Sequence, residues 1–188
     1  SAQDSKLFVI SGPSGAGKGT LVTRVRERRS NLGLTVSATT RAPRKGEVDG
    51  VNYFFLTREE FDRRVANGEF VEWAEVHGNC YGTLVSGVII KLASGASLIL
   101  EIDVQGALQV KERFPEAVLI FIKPPSLEVL RERLVDRGTE TPETIELRMA
   151  NAAHELALAD RYDDVVVNDD LDRATDELVR VLDMHERI

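Results

Sequence analysis

The segment from Gly12 to Thr20, with the sequence GPSGAGKGT, has the residue types and spacing of a phosphate-binding loop. Gly12, Gly15 and Gly17 leave the backbone free to turn and to approach a phosphate closely, so that successive N–H groups point at its oxygens. Lys18 adds a positive charge that can follow the β- and γ-phosphates of a nucleotide. The segment therefore predicts a site for a nucleoside triphosphate whose terminal phosphoryl group is transferred.

The hydroxyl that normally ligates Mg²⁺ directly after the lysine of such a loop is displaced in this chain. Position 19 is a glycine, and the hydroxyl follows one residue later at Thr20. We therefore expect Thr20 to be the metal ligand of the loop. The candidate triphosphate-binding residues are Gly12, Ser14, Gly15, Ala16, Gly17, Lys18, Gly19 and Thr20.

The elements that must position this loop alternate between strands and helices. Buried strands are predicted over residues 6–11, 97–103, 117–122 and 164–168. Helices are predicted directly after the loop, over residues 105–113, from 127 after the capping Ser126, from Pro142, and after residue 170. This alternation predicts an α/β fold with a parallel sheet covered by helices on both faces.

The stretch from about residue 35 to 88 breaks the alternation. Short strands at 51–55 and 70–73 flank a helix near 59–66, which predicts an inserted mixed α/β subdomain. Its aromatic residues are predicted to form the core of the insertion rather than a stacking platform. They are Phe54, Phe55, Phe61, Phe70 and Trp73.

Length and composition restrict the possible partners. The chain has 188 residues, enough for one domain, and its net charge of −7 disfavours a nucleic-acid partner. No apolar run approaches the ~20 residues that a membrane span requires. The one cysteine, Cys80, rules out an internal disulfide and fits a reducing compartment, so we expect a cytoplasmic protein. A homo-oligomer is compatible with the sequence, which leaves the oligomeric state open.

Further segments, taken together in their order and spacing, resemble the guanylate kinase family. They are SATTRAPR at 37–44, GEVDGVNY at 46–53, FVEWA at 70–74, NCYGT at 79–83, LEIDVQG at 100–106 and RGTET at 137–141. The resemblance implies phosphoryl transfer from ATP to guanosine monophosphate (GMP) with Mg²⁺. It also implies a single P-loop kinase domain over 1–188: a core of about 1–33, 91–125 and 161–188, an insertion of about 34–90 that binds the monophosphate, and a helical lid of about 126–160.

The insertion carries the residues that the resemblance assigns to GMP. A phosphate with up to two charges suits a pair of arginines, with tyrosine hydroxyls completing its shell. Arg41, Arg44, Tyr53 and Tyr81 supply that set. The carboxylate of Glu72 can accept from both N1–H and the N2 amine of guanine, whereas adenine presents a bare acceptor at N1. Ser37 and Thr83 are expected to add hydroxyl contacts to the base.

Transfer between nucleotides needs no side-chain nucleophile, because an oxygen of the acceptor phosphate attacks. The resemblance implies that Lys18 and the lid arginines Arg133, Arg137 and Arg148 offset the developing charge. Glu101 and Asp103 follow a strand, and there they can hold Mg²⁺ through water, or one of them can touch the guanine amine. These two roles stay open.

Other assignments also stay open. Asn168 and Asp169 either approach the base of the triphosphate or form a turn and helix cap. His77, His154 and His185 share no metal-ligand or triad spacing and receive no catalytic role.

Two other functions remain. One is a kinase for another nucleoside monophosphate, with adenylate favoured by the order Lys18-Gly19-Thr20. The other is a non-catalytic guanylate-kinase-like module that binds peptides. Such modules typically lack the phosphate loop.

Overall fold

The computed structural model describes residues 5–186. The strands in this part of the chain are β1 (Leu7–Ser11), β2 (Gly33–Leu34), β3 (Ala38–Thr39), β4 (Phe54–Phe55), β5 (Phe70–Val76), β6 (Asn79–Leu84), β7 (Leu98–Glu101), β8 (Val118–Lys123) and β9 (Asp164–Val167). The helices are α1 (Lys18–Arg28), α2 (Arg58–Ala66), α3 (Val85–Ala93), α4 (Val104–Arg113), α5 (Leu127–Asp136), α6 (Pro142–Leu156) and α7 (Leu171–Glu186), with a short 3₁₀ turn at Ala159–Arg161.

Five of the strands form a parallel sheet in the order β2-β7-β1-β8-β9. Every residue of β1 is buried, as expected for a strand covered on both faces. One face packs against α1 and α7 through a cluster that includes Phe8, Leu21 and Leu178. The other face packs against α3 and α4 through a cluster that includes Val9, Val88 and Val110. The predicted α/β class and the parallel sheet covered on both faces are confirmed.

The carboxyl ends of the strands position the phosphate loop. The loop begins where β1 ends, between its two sheet neighbours β7 and β8. In the register of β1 and β7, Ile10 pairs with Glu101, which places this carboxylate beside the start of the loop. Crevices of this kind at the carboxyl ends of parallel strands are where α/β proteins bind ligands.

A second sheet lies wholly within the inserted residues, in the order β4-β3-β6-β5. It is mixed, because β3 runs parallel to β4 but antiparallel to β6. Phe61, Phe70 and Cys80 form its buried core, with Phe54 packed against them. The expectation for Trp73 is wrong, since its residue surface is 42% exposed. β5 is an edge strand whose later residues face solvent. Trp73 packs edge to face on Phe61, with the ring centres 6.1 Å apart.

The predicted lid contains α5 and α6, which pack on each other through their own apolar cluster of Leu130, Leu134, Ile145, Met149 and Ala152. Both helices begin at a hydroxyl cap, Ser126 for α5 and Thr141 for α6. Among the helices of residues 5–186, none combines the length and the apolar character needed to cross a membrane.

Candidate active site

Glycine is required at two positions of the phosphate loop because atoms of β8 and of the residue after β9 lie too close for a side chain. Gly17 has a φ of 85°, and a Cβ there would lie 2.4 Å from Nδ2 of Asn168. A Cβ on Gly12 would lie 2.2 Å from the carbonyl oxygen of Ile122. Asn168 also donates from Nδ2 to the carbonyl oxygen of Ala16 at 2.8 Å. The loop is therefore fixed by β8, which neighbours β1, and by Asn168, which follows β9 on the same side of β1.

Lys18 begins α1 and folds back over the loop, with Nζ donating to the carbonyl oxygen of Gly12 at 2.8 Å. Burial lowers the pKa of its ammonium group, and the nearby carboxylates of Glu101, Glu155 and Asp103 oppose that shift. The ammonium is thus held in a partly desolvated position with acidic side chains nearby.

A cleft of about 460 Å³ opens above the loop. Its lining residues are Gly12, Pro13, Ser14, Gly15, Gly17, Lys18, Gly19, Thr20, Glu101, Asp103, Arg137 and Glu155. The structure therefore brings together most of the predicted loop residues, both strand-end carboxylates and one lid arginine. Glu155 was not predicted, although its position seven residues after Arg148 places both on one face of α6. Burial raises the pKa of Glu155, and Lys18 opposes the rise.

The cleft has oxygen ligands that suit Mg²⁺. Thr20 is exposed within it, and Oε1 of Glu101 lies 3.6 Å from the place that a Cβ on Gly19 would take. Hydroxyl and carboxylate oxygens are the donors that Mg²⁺ prefers, and it usually keeps several waters and substrate phosphates as further ligands. Within residues 5–186 no group of three or more His, Cys, Asp or Glu side chains forms a metal site by itself.

The three lid arginines occupy different positions. Arg148 donates from Nη1 to Oγ of Ser14 at 2.6 Å, which ties α6 to the phosphate loop. Arg137 lines the cleft. Arg133 instead donates from Nη2 to the carbonyl oxygen of Asn168 at 2.9 Å, at the end of β9. Of the three predicted arginines, Arg148 therefore contacts the loop, Arg137 lines the cleft, and Arg133 does neither in this structure.

Asn168 and Asp169 were expected either to approach the base of the triphosphate or to form a turn and helix cap, and the structure gives the two residues different roles. Asn168 is buried and its side chain supports the loop. Asp169 accepts from the backbone N–H of Asp170 and from Nε of Arg173, both at 2.7 Å. Asp170 in turn accepts from the N–H of Arg173 at 2.9 Å. The Asp169-Asp170 pair thus forms a turn and cap at the start of α7.

In the insertion, Arg41 is at the centre of a polar and aromatic cluster. Its guanidinium carbon lies 5.1 Å from the ring centre of Tyr53, and the rings of Tyr53 and Tyr81 are 6.2 Å apart. Both terminal amines of Arg41 donate to Glu47, at 2.9 and 3.0 Å. These bonds lower the pKa of Glu47 to about 2 and raise the pKa of Arg41. Arg44 is exposed and joins the cluster through its backbone N–H, which donates to Glu47 at 2.7 Å.

Glu72 and Thr83 form a hydrogen-bonded pair on the adjacent strands β5 and β6. Oγ1 of Thr83 donates to Oε1 of Glu72 at 3.0 Å. Burial raises the pKa of Glu72, the Thr83 hydroxyl opposes the rise, and Asp103 adds to it. Oε2 of Glu72 lies 3.6 Å from the place that a Cβ on Gly106 would take, and Asp103 accepts from the Gly106 N–H at 2.7 Å. Asp103 therefore borders both Glu72 and the phosphate cleft. Ser37 is half-buried directly before β3.

Comparisons with known proteins agree on one family. The family model for guanylate kinase matches residues 4–185. The guanylate kinase of Gloeobacter violaceus is 57% identical over 178 residues, which is 95% of this chain and 87% of that protein. The guanylate kinase of Carboxydothermus hydrogenoformans is 52% identical over 176 residues, 94% of this chain and 86% of that protein. The crystal structure of guanylate kinase from Anaplasma phagocytophilum is similar with a TM-score of 0.72 and 35% identity, covering 99% of this chain and 88% of that one.

Proposed function

The chain belongs to the guanylate kinase family, enzymes that transfer a phosphoryl group from ATP to GMP, and from this premise we propose how its own residues carry out that reaction. The products are ADP and guanosine diphosphate. The proposal assigns ATP to the phosphate loop, GMP to the insertion, and charge neutralisation to the lid.

The observation that supports this assignment is the position of Asp103. It lines the phosphate cleft and also lies beside Glu72, the predicted guanine acceptor. A base held by Glu72 and Thr83 would lie next to the cleft that holds the triphosphate. Two nucleotides can then approach each other in one site, as direct transfer requires.

In the proposed reaction an oxygen of the GMP phosphate attacks the γ-phosphorus of ATP, and ADP leaves. Arg41, Arg44, Tyr53 and Tyr81 hold the acceptor phosphate. Lys18 and the loop N–H groups hold the β- and γ-phosphates, while Arg137 and Arg148 offset the charge that develops on the transferred group. Arg133 would join them after leaving the carbonyl oxygen of Asn168.

The donor set of the cleft fits a magnesium ion. Thr20 would hold it directly and Glu101 would hold it through water. When bound, Mg²⁺ supplies positive charge to the β- and γ-phosphates of ATP.

The test is a coupled assay of diphosphate formation from ATP with each of the four common monophosphates as acceptor. We expect GMP to be preferred over adenosine monophosphate by about 10- to 200-fold in kcat/KM, since an unpaired buried acceptor costs ~1–3 kcal/mol or more. Lys18→Ala should lose activity by at least about 100-fold. Lys91→Ala, which changes an exposed lysine at the end of α3, is the control that should keep it.

Failure to form guanosine diphosphate would contradict the proposal, and a preference for adenosine monophosphate would favour the adenylate alternative. A cytoplasmic location and the lack of a nucleic-acid partner remain predictions from composition. The oligomeric state remains open.

A further inference from the structure

Glu140 is a largely buried carboxylate beside Arg148, and the reaction described above does not explain its role. It lies in the connection between α5 and α6, directly before Thr141, the N-cap of α6. Its side chain is only 10% exposed. One of its oxygens, Oε2, is buried with no hydrogen-bond partner among the described residues. A buried carboxyl oxygen without a hydrogen-bond partner is costly, so its presence needs a physical explanation.

The neighbour of Glu140 is the guanidinium group of Arg148. Oε1 of Glu140 lies 2.9 Å from Nε of Arg148. The angle at this contact is not that of a hydrogen bond, because Nε is also buried without a hydrogen-bond partner. The contact is close but misaligned, as catalytic contacts often are before substrates bind.

The two ends of the Arg148 side chain therefore face different groups. Glu140 lies against the Nε edge, while Nη1 at the far end donates to Ser14 of the phosphate loop at 2.6 Å. A guanidinium group is planar, so a carboxylate at the Nε edge restricts where its terminal amines point.

We propose that Glu140 is a positioning residue that aims the terminal amines of Arg148 at the phosphate transferred in the loop. The inference rests on the proposed function, in which Arg148 offsets charge on the transferring group. Glu140 touches neither substrate, and it acts through the direction of the Arg148 side chain.

The chain offers a matched control in α6, the helix that carries Arg148. Glu146 forms an ion pair with Arg131, between α6 and α5, and both side chains are largely exposed. Exposed pairs of this kind contribute little to stability. Glu146→Ala therefore removes a lid glutamate and its arginine contact without altering the side chains at the cleft.

The experiment measures kcat, both KM values and melting temperature for the wild type, Glu140→Ala, Glu140→Gln, Arg148→Ala, the double alanine variant and Glu146→Ala. Arg148→Ala should lower kcat by about 10³-fold. Glu140→Ala should lower kcat by about 10- to 100-fold with the KM for GMP changed less than about twofold. Glu140→Gln keeps an oxygen at Oε1 and should recover most of the rate. The double variant should match Arg148→Ala, because Glu140 has no effect once its partner is gone.

Stability separates positioning from a merely structural role. Glu140→Ala opens space through which water can reach the buried Nε of Arg148, whose side chain is already 38% exposed, and it removes the carboxylate oxygen that has no hydrogen-bond partner. The melting temperature of Glu140→Ala should therefore equal or exceed that of the wild type. Glu146→Ala should keep wild-type kcat within about twofold.

Three results would overturn the inference. The first is wild-type kcat in Glu140→Ala while Arg148→Ala is slow. The second is a double variant whose loss is the product of the two single losses. The third is a slow Glu140→Ala with a lowered melting temperature and no recovery in Glu140→Gln. Two further results would overturn the proposed function together with the inference: a wild type that does not phosphorylate GMP, and Arg148→Ala at the wild-type rate. Both are measured in proteins that keep Glu140, so they can be told apart from a failure of the inference alone.

Discussion

Glu72 combines partial burial with a carboxylate that guanine recognition needs in its ionised form. Burial raises its pKa, and the Thr83 hydroxyl offsets part of that rise. A carboxyl group whose pKa is higher in the folded than in the unfolded protein binds its proton more tightly after folding. Its contribution to stability is therefore unfavourable at pH values above both pKa values and improves as the pH falls through the folded value.

Glu72→Gln should separate stability from recognition. The amide removes the ionised group that burial disfavours, so the melting temperature at pH 7 to 8 should be equal or higher. Its N–H₂ group would face one of the two guanine donors, N1–H or the N2 amine, donor against donor, so kcat/KM for GMP should fall by about 10- to 200-fold. Acceptor kinetics and thermal melting measure the two effects.

The pH dependence gives a second readout of the same variant. In the wild type the KM for GMP should rise as the pH falls toward the raised pKa of Glu72, because the protonated carboxyl group loses one acceptor. The rise should be absent in Glu72→Gln. A wild-type KM that is flat over this range, or a variant with unchanged GMP kinetics, would contradict the assignment.

Site residues that belong to motifs of known spacing could be predicted from the sequence, whereas the carboxylates that hold the site arginines could not. Glu72, Thr83 and the loop were identified from motifs, and the structure places Glu72 against Thr83. Glu47 and Glu140 were not identified as partners of Arg41 and Arg148. The chain has 31 acidic residues, and only packing distinguishes a carboxylate that supports an arginine from one that faces solvent.

At the scale of elements, the end of β9 supports the start of α1. Asn168 donates to Ala16 and leaves no room for a side chain at Gly17. Gly17 also has positive φ, where a side chain costs about 1–2 kcal/mol. The direction of the first N–H groups of α1 toward a phosphate thus depends on a strand far away in sequence.

Gly17→Ala should lower both stability and ATP affinity. The matched control is Gly95→Ala at the end of α3, where φ is 88° and nothing lies within 4 Å of the added Cβ. Both variants incur the backbone cost, so both should lose about 1–2 kcal/mol of unfolding free energy. Only Gly17→Ala must also displace Asn168, and its affinity for ATP should fall by at least about tenfold. Equal ATP affinity in the two variants, measured by calorimetry, would refute the role of this contact.

Long buried strands and capped helices could be predicted, and the smallest elements could not. β1, β7, β8 and β9 are mostly apolar runs. The predicted ranges contain β1, β7 and β9, and β8 extends one residue beyond its predicted range, to Lys123. β2 and β3 have two residues each, too few for any periodicity. β6 was recognised only as a motif, because its sequence NCYGTL has no alternation of apolar and polar residues. It becomes a strand by pairing antiparallel with β5 in a hairpin.

At the scale of the whole molecule, the proposed site draws on three parts of the chain. The phosphate loop belongs to the parallel sheet, Arg41 and Glu72 to the second sheet, and Arg137 and Arg148 to the predicted lid. Asp103, at the start of α4, borders both the loop cleft and Glu72. Arg133 still binds the Asn168 carbonyl oxygen. The residues proposed for phosphoryl transfer are all present, but Arg133 would have to leave Asn168 before the three lid arginines could surround a phosphate.

We therefore expect both nucleotides together to close the insertion and the lid over the cleft. A compact chain of 188 residues has a radius of gyration of ~16 Å, and small-angle scattering with a bisubstrate analogue should show a decrease toward that value. A non-hydrolysable ATP analogue alone is the control and should give a smaller change, because the insertion has no acceptor to bind. Closure matters because water in an open site could accept the phosphoryl group in place of GMP. An unchanged radius with the bisubstrate analogue would mean that transfer occurs in the open arrangement, and ATP hydrolysis without GMP should then approach the transfer rate.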